Sequence, residues 1–121
     1  NLHLPLALVL EASEQHNAVA VPCHPGRVRV GMSAHIDTYG IPEGVRIVET
    51  YNGGSRGNED QIAQKMAEEQ GYLGIGGSDA HIVSHIGRCA TRFSHDISIE
   101  AELTDALRAG DFEAITFREN A

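Results

Sequence analysis

Residues 45–81 read VRIVETYNGGSRGNEDQIAQKMAEEQGYLGIGGSDAH, and they carry the pattern of a strand–helix–strand unit. Val45–Tyr51 is rich in β-branched residues, which favour strands. Glu59–Gln70 has the periodicity of a helix, and Asn58 stands where a helix cap is expected. Tyr72–Ile75 is a short apolar run that predicts a second strand. Because a helix that joins two strands lets them run side by side in one direction, this stretch predicts a parallel sheet.

The same alternation continues on both sides of this unit. The other predicted elements are a helix from Pro5 to about His16, strands at Ala18–Pro22, Gly87–Phe93 and Phe112–Phe117, and a helix from Ser98 to near Arg108. Residues 24–44 contain several Gly and Pro residues and predict a long loop, a common location for functional residues. We therefore predict an α/β fold with a mainly parallel sheet and alternating helices, as a single domain over residues 1–121.

The composition argues against several classes of partner. Seventeen acidic and nine basic residues give a net charge of −8, and the basic residues form no stripe along the sequence, which disfavours duplex nucleic acid. No apolar run approaches the ~20 residues that span a membrane, so we expect no membrane partner. Cys23 and Cys89 are too few for a disulfide framework, and we expect both to be reduced and buried in a cytoplasmic protein.

The first segment with chemical potential is Cys23–Arg27, CHPGR, which directly follows a predicted strand. A His at the carboxyl end of a parallel strand lies where α/β folds place their sites. The neutral imidazole of His24 is a ligand for divalent metals, and the guanidinium of Arg27 suits a phosphate. The same residues also fit an ordinary turn, with a His beside a Pro and a solvated Arg.

The second segment is Gly74–His81, GIGGSDAH, which follows another predicted strand. In extended backbone Asp79 and His81 project to the same side, because alternate residues share a face. A carboxylate and an imidazole on one side make up half of a metal site. A Gly-rich turn, with Asp79 as a helix cap and His81 exposed, explains the segment equally well. Both segments follow strands of one parallel array, so we expect them to open onto the same rim.

The order of several short motifs resembles a known family. They are H-P-G-R at 24–27, E-x-Y-N-G at 49–53, G-S-D-A-H at 77–81, I-G at 86–87 and the closing segment Leu103–Gly110. From about Asn17 to Phe117 the chain resembles the C-terminal part of a metal-dependent phosphoesterase of the PHP (polymerase and histidinol phosphatase) family.

This resemblance implies a fold and a site. It implies that the chain is part of a distorted (β/α)7 barrel that holds two or three divalent metal ions (Mn, Zn or Fe) at its rim. It implies that His24, Asp79 and His81 are metal ligands. From their own chemistry, Arg27 and Asn52 are candidates to hold a substrate phosphate, and the acidic surface favours a small phosphorylated metabolite or nucleotide as the substrate. Because Glu49 lies inside a predicted strand, it is interpreted as a strand residue at the rim rather than a ligand.

The family's opening H-x-H motif has no counterpart in this sequence. We therefore expect that an N-terminal part completes the metal site, that the isolated chain is inactive, and that either this missing segment or a second copy is a partner. Two alternatives remain open: a catalytically inactive fragment or metal-binding module, and an amidohydrolase-like metal-dependent hydrolase.

Overall fold

The chain folds into alternating helices and strands, as its sequence pattern predicts; the computed structural model describes residues 5–119. The helices are α1 (Leu6–Gln15), α2 (Ile36–Tyr39), α3 (Glu59–Gln70) and α4 (Glu100–Ala109), and two 3-10 turns cover Met32–His35 and Val83–His85. The strands are β1 (Ile47–Asn52), β2 (Leu73–Gly77), β3 (Cys89–Phe93) and β4 (Phe112–Thr116). The predicted α/β class is therefore confirmed.

The unit β1–α3–β2 forms as the sequence predicts. α3 has the predicted bounds, begins after Asn58 and is closed by Gly71, whose φ of 72° is the left-handed conformation that a C-terminal Gly supplies. β1 and β2 are parallel, with Ile47 opposite Leu73 and Asn52 opposite Gly77. Their carboxyl ends therefore meet at one rim.

The prediction of a mainly parallel sheet is wrong for the second half of the chain. β3 and β4 are antiparallel and form a separate two-stranded sheet, with Cys89 opposite Thr116 and Phe93 opposite Phe112. The Phe93 and Phe112 rings lie 6.1 Å apart, a cross-strand contact of the kind that fixes an antiparallel pair. This sheet is joined to β2 through Thr91, whose hydroxyl accepts from Gly76 N at 3.0 Å and donates to Gly76 O at 2.8 Å.

The strand predicted at residues 18–22 does not form. This segment runs beside β1, and Glu49 N donates to Pro22 O at 3.1 Å. Proline has no N–H to return to a neighbouring strand, so the segment does not extend the ladder there. Among the residues described, the strands close no barrel, and the predicted (β/α)7 barrel is not seen.

The hydrophobic core lies between β1 and α3. Val48 is fully buried beside Val45 and Ala67, and Leu10, Met32 and Tyr72 pack against this cluster. Helix α1 forms where it is predicted but contributes no fully buried residue. The predicted loop contains α2 and one of the 3-10 turns.

The two cysteines differ in environment. Both are free, and Cys89 is buried as predicted, whereas Cys23 is exposed, so the prediction that it is buried is wrong. Its apolar run ends at the rim of the fold rather than inside a strand, which leaves the thiol at the surface. Over residues 5–119, no helix has the length and apolar character needed to cross a membrane.

Candidate functional site

The loops after β1 and β2 lie side by side at the rim. Gly53 N donates to Gly77 O at 2.9 Å, which continues the parallel pairing past the end of β1. A Cβ atom at Gly53 would come within 2.4 Å of Ser78 O, so the close approach of the two loops requires glycine there. The segments that contain Asn52 and Asp79 are thus brought together.

The CHPGR segment reaches the same rim by packing against the start of α3. A Cβ atom at Gly26 would lie 2.0 Å from Glu59 O, so the backbones touch directly. Val28 N donates to the Glu59 carboxylate at 3.2 Å, which fixes the turn after Arg27. These contacts place the Arg27 side chain over the end of β1.

One guanidinium group connects all three segments. Arg27 Nη2 lies 2.9 Å from Asp79 Oδ2 and donates to Asn52 Oδ1 at 3.1 Å. Asn52 itself is 1% exposed, so its amide is fixed beneath the arginine. A charged hydrogen bond between Arg and a carboxylate holds both groups in a defined orientation.

Glu49 is the central buried group of the site. It is 7% exposed, and Oε2 accepts hydrogen bonds from His24 N at 2.6 Å and from Asn52 Nδ2 at 2.8 Å. Sequence reasoning missed this role. The signal was present, because a carboxylate inside a β-branched strand is tolerated only where donors satisfy it.

Asp79 is held in a strained and charged environment. Its φ of 51° is left-handed, a conformation that non-glycine residues adopt mainly at constrained sites. Burial acts to raise the pKa of the Asp79 carboxyl, but the hydrogen bond and charge of Arg27, together with His24 and His81, outweigh it, so the pKa lies below its ordinary value. The carboxylate is therefore ionised, which a metal ligand requires.

His81 is exposed and presents one ring nitrogen outward. Its Nδ1 lies 2.9 Å from the Asp79 backbone carbonyl, which can only accept, so Nδ1 carries the proton in the neutral ring. The lone pair is then on Nε2, the tautomer that binds metals.

His24 lines a depression at this rim. It has a φ of 30°, and its Nδ1 atom is buried without a hydrogen-bond partner among the residues described. Its Nε2 lies 3.4 Å from Cys23 Sγ. The ring shares a depression of about 350 Å³ with Leu6, Val9 and Val30.

A cleft of about 880 Å³ opens beside Asp79 and His81. It is lined by Arg27, Val28, residues 53–59, Asp79, His81, His85 and Arg88. Of the predicted site residues, Arg27, Asp79 and His81 line this cleft, Asn52 lies beneath it, and His24 lies next to it.

The donor set fits a metal ion in part. Between residues 5 and 119, no group of three or more His, Cys, Asp or Glu side chains is arranged to hold one. Asp79 and His81 nevertheless present an ionised carboxylate and an imidazole lone pair to the same cleft, and the buried Nδ1 of His24 lacks a partner. Two suitable donors and one orphaned nitrogen therefore lie at this rim.

Comparison with known protein families gives a match over part of the chain. Residues 57–112 match the family model described as PHP-associated. The predicted resemblance to the C-terminal part of a PHP-family protein is confirmed over this segment. No curated protein and no solved structure matches the chain significantly.

Proposed function

We propose that this chain, which matches a PHP-associated family over residues 57–112, supplies part of the active site of a metal-dependent phosphoesterase. The observation that carries the proposal is the Arg27 guanidinium, which joins Asn52 to Asp79 beside the exposed imidazole of His81. The substrate class is a small phosphorylated metabolite or nucleotide.

The proposed metal ligands are His24, Asp79 and His81, and the ion is divalent: Mn, Zn or Fe. When bound, such a metal lowers the pKa of a coordinated water and offsets the charge on a phosphate. Additional donors come from outside these residues, from a part of a distorted (β/α)7 barrel to which β1 and β2 belong. Metal ligands are held in position by hydrogen bonds from the residues behind them, and Glu49 and Asn52 supply such hydrogen bonds here.

The chain's own residues orient the proposed ligands and offset the negative charge of the phosphate. Arg27 holds Asp79 in place and has further N–H groups for phosphate oxygens. Asn52 fixes Arg27 through its side-chain oxygen and is itself fixed by Glu49 through its side-chain nitrogen. Glu49 also holds the backbone N–H of His24, so one carboxylate aligns two of the proposed functional residues.

The test is Mn²⁺-dependent hydrolysis of a small phosphomonoester by the protein that contains this chain. Asp79→Asn should lower kcat/KM by about 100-fold or more, since a ligand and the partner of Arg27 are lost together. Asp105→Asn, on the exposed face of α4, is the matched control and should leave the rate unchanged.

Other outcomes separate the alternatives. Hydrolysis of amides or lactones in preference to phosphate esters supports the amidohydrolase-like reading. Calorimetry with Mn²⁺ or Zn²⁺ on the isolated chain should show weak binding that Asp79→Ala abolishes. Tight binding that survives this substitution places the metal elsewhere, and binding without any turnover supports a metal-binding module.

A further inference from the structure

The cleft concentrates positive charge in an acidic chain. Three of the nine basic residues, Arg27, Arg56 and Arg88, line it, although the net charge of the chain is −8. The acidic side chains that line it are Glu59 and Asp79. Basic residues that are scattered along the sequence are thus gathered by the fold at one place, where they attract anions.

The three arginines differ in whether they already form ion pairs with acidic side chains. Arg27 is paired with Asp79 at 2.9 Å and lies 3.8 Å from Glu59. Between residues 5 and 119, Arg56 and Arg88 have no acidic side chain within ion-pair distance. Their guanidinium groups therefore retain their capacity to bind an anion.

The backbones that carry these two arginines are anchored. Arg56 N donates to Glu59 Oε1 at 2.7 Å. Arg88 O accepts from Phe117 N at 2.8 Å, and the Arg88 Cβ lies 2.9 Å from where a Cβ at Gly53 would stand. Charged groups on anchored backbone lose less freedom when a ligand binds.

The cleft is larger than one phosphate group needs. Its volume of about 880 Å³ lies within the range of about 300–1,000 Å³ that is typical of sites for whole small molecules. Of its lining residues, Arg27, Asp79 and His81 are proposed to meet the reacting phosphate. Arg56 and Arg88 then remain for a different part of the ligand.

We propose that Arg56 and Arg88 form a second anion subsite, so that the ligand is a small phosphorylated molecule with a second phosphate or carboxylate. This inference rests on the proposed function for the placement of the first phosphate. The planar guanidinium fork binds phosphate and carboxylate oxygens in pairs, which gives the subsite its selectivity for anionic groups.

The test is calorimetry without metal, so that no turnover is needed, with three related probes. Glycerol 3-phosphate has one anionic group, 3-phosphoglycerate adds a carboxylate, and 2,3-bisphosphoglycerate adds a second phosphate as well. Both 3-phosphoglycerate and 2,3-bisphosphoglycerate should bind about tenfold more tightly than glycerol 3-phosphate. A further gain in affinity from 3-phosphoglycerate to 2,3-bisphosphoglycerate measures what the second phosphate adds to the carboxylate.

Arg56→Gln and Arg88→Gln should each remove most of this advantage and change the affinity for glycerol 3-phosphate less than about twofold. Arg92→Gln is the control. It changes the net charge by the same amount, and Arg92 pairs with Glu113 on an exposed strand face. Equal binding of all three probes, or equal losses in all three variants, overturns the subsite.

Two further readouts keep the result unambiguous. In the wild-type protein, NMR signals of the Arg56 and Arg88 Nε–H groups should shift with 2,3-bisphosphoglycerate and not with glycerol 3-phosphate. Absence of such shifts also overturns the subsite. A protein that shows this selectivity but hydrolyses no phosphate ester retains the subsite and loses the proposed function.

Discussion

At the scale of single residues, Glu49 organises the site from within a strand. Its carboxylate accepts from His24 N and Asn52 Nδ2, and it is almost completely buried. The desolvation of a carboxylate at such a position is offset by the charged hydrogen bonds that it accepts. The geometry of His24 and Asn52 therefore depends on an almost completely buried residue that does not line the cleft.

Glu49→Ala should lower the free energy of unfolding by about 3 kcal/mol, because the buried Asn52 amide and the part-buried His24 N–H both lose their acceptor. Glu49→Gln keeps one acceptor oxygen and should lose less. Both are measured by urea unfolding. The control is Glu113→Ala, whose exposed pair with Arg92 should contribute less than about 1 kcal/mol. Equal losses at Glu49 and Glu113 would contradict this role.

Tyr72 carries a buried hydroxyl without a partner among the described residues, and burial raises the pKa of this phenol. The folded state therefore disfavours the phenolate. Stability from this group is full below the unfolded pKa of about 10 and is lost as pH rises through the higher folded value.

Tyr72→Phe should match or exceed the wild-type unfolding free energy at neutral pH by up to about 1 kcal/mol, because an unsatisfied hydroxyl is removed. It should also lose less stability than the wild type above about pH 10. Urea unfolding at both pH values measures the difference. Tyr39→Phe, at a side chain that is 82% exposed, should show neither effect.

At the scale of elements, the end of β4 is fastened to the start of α3. Arg118 pairs with Asp60 through Nη2 and donates from Nη1 to Ser55 O at 3.4 Å. Asp60 in turn accepts from Asn52 N at 3.1 Å. The last strand thus helps to hold the loop that forms the floor of the cleft.

Arg118→Met should lower the unfolding free energy by about 3 kcal/mol, because it leaves the buried Asp60 carboxylate without its charged partner. Adding Asp60→Asn should restore part of that loss. Urea unfolding of the single and double variants measures the coupling. Arg92→Met breaks an exposed pair and should cost less than about 1 kcal/mol. If Arg118→Met lowers the unfolding free energy as little as Arg92→Met does, the ion pair between Arg118 and Asp60 contributes little to stability.

Local signals predicted most of the elements. The periodicity of α3 and the Gly71 after it predicted its bounds, although the side chain of Asn58 makes no cap hydrogen bond, and β-branched runs located β1. Strand direction in the second sheet was not predictable, because pairing is chosen by long-range contacts such as Phe93 with Phe112. The motifs indicated Arg27, Asp79 and His81, but the gathering of Arg56 and Arg88 depends on loop packing that no local pattern encodes.

At the scale of the whole molecule, the described fold leaves much apolar surface open. Each sheet has two strands, which is fewer than independent stability usually requires. Helix α1 buries no residue completely, and Leu6, Leu8 and Val9 are 41%, 53% and 38% exposed. Surfaces of this kind are normally covered by a partner.

The depression beside His24 is the place where a second copy is expected to pack. Leu6, Val9 and Val30 line it together, and Val30 is 66% exposed, so its apolar wall is continuous with the open face of α1. We therefore expect the sedimentation coefficient to rise with concentration. Val30→Glu should suppress this rise, because association would bury a charge. Val83→Glu, at a side chain that is 84% exposed and does not line the depression, should not. A concentration-independent monomer would show that this face needs no cover.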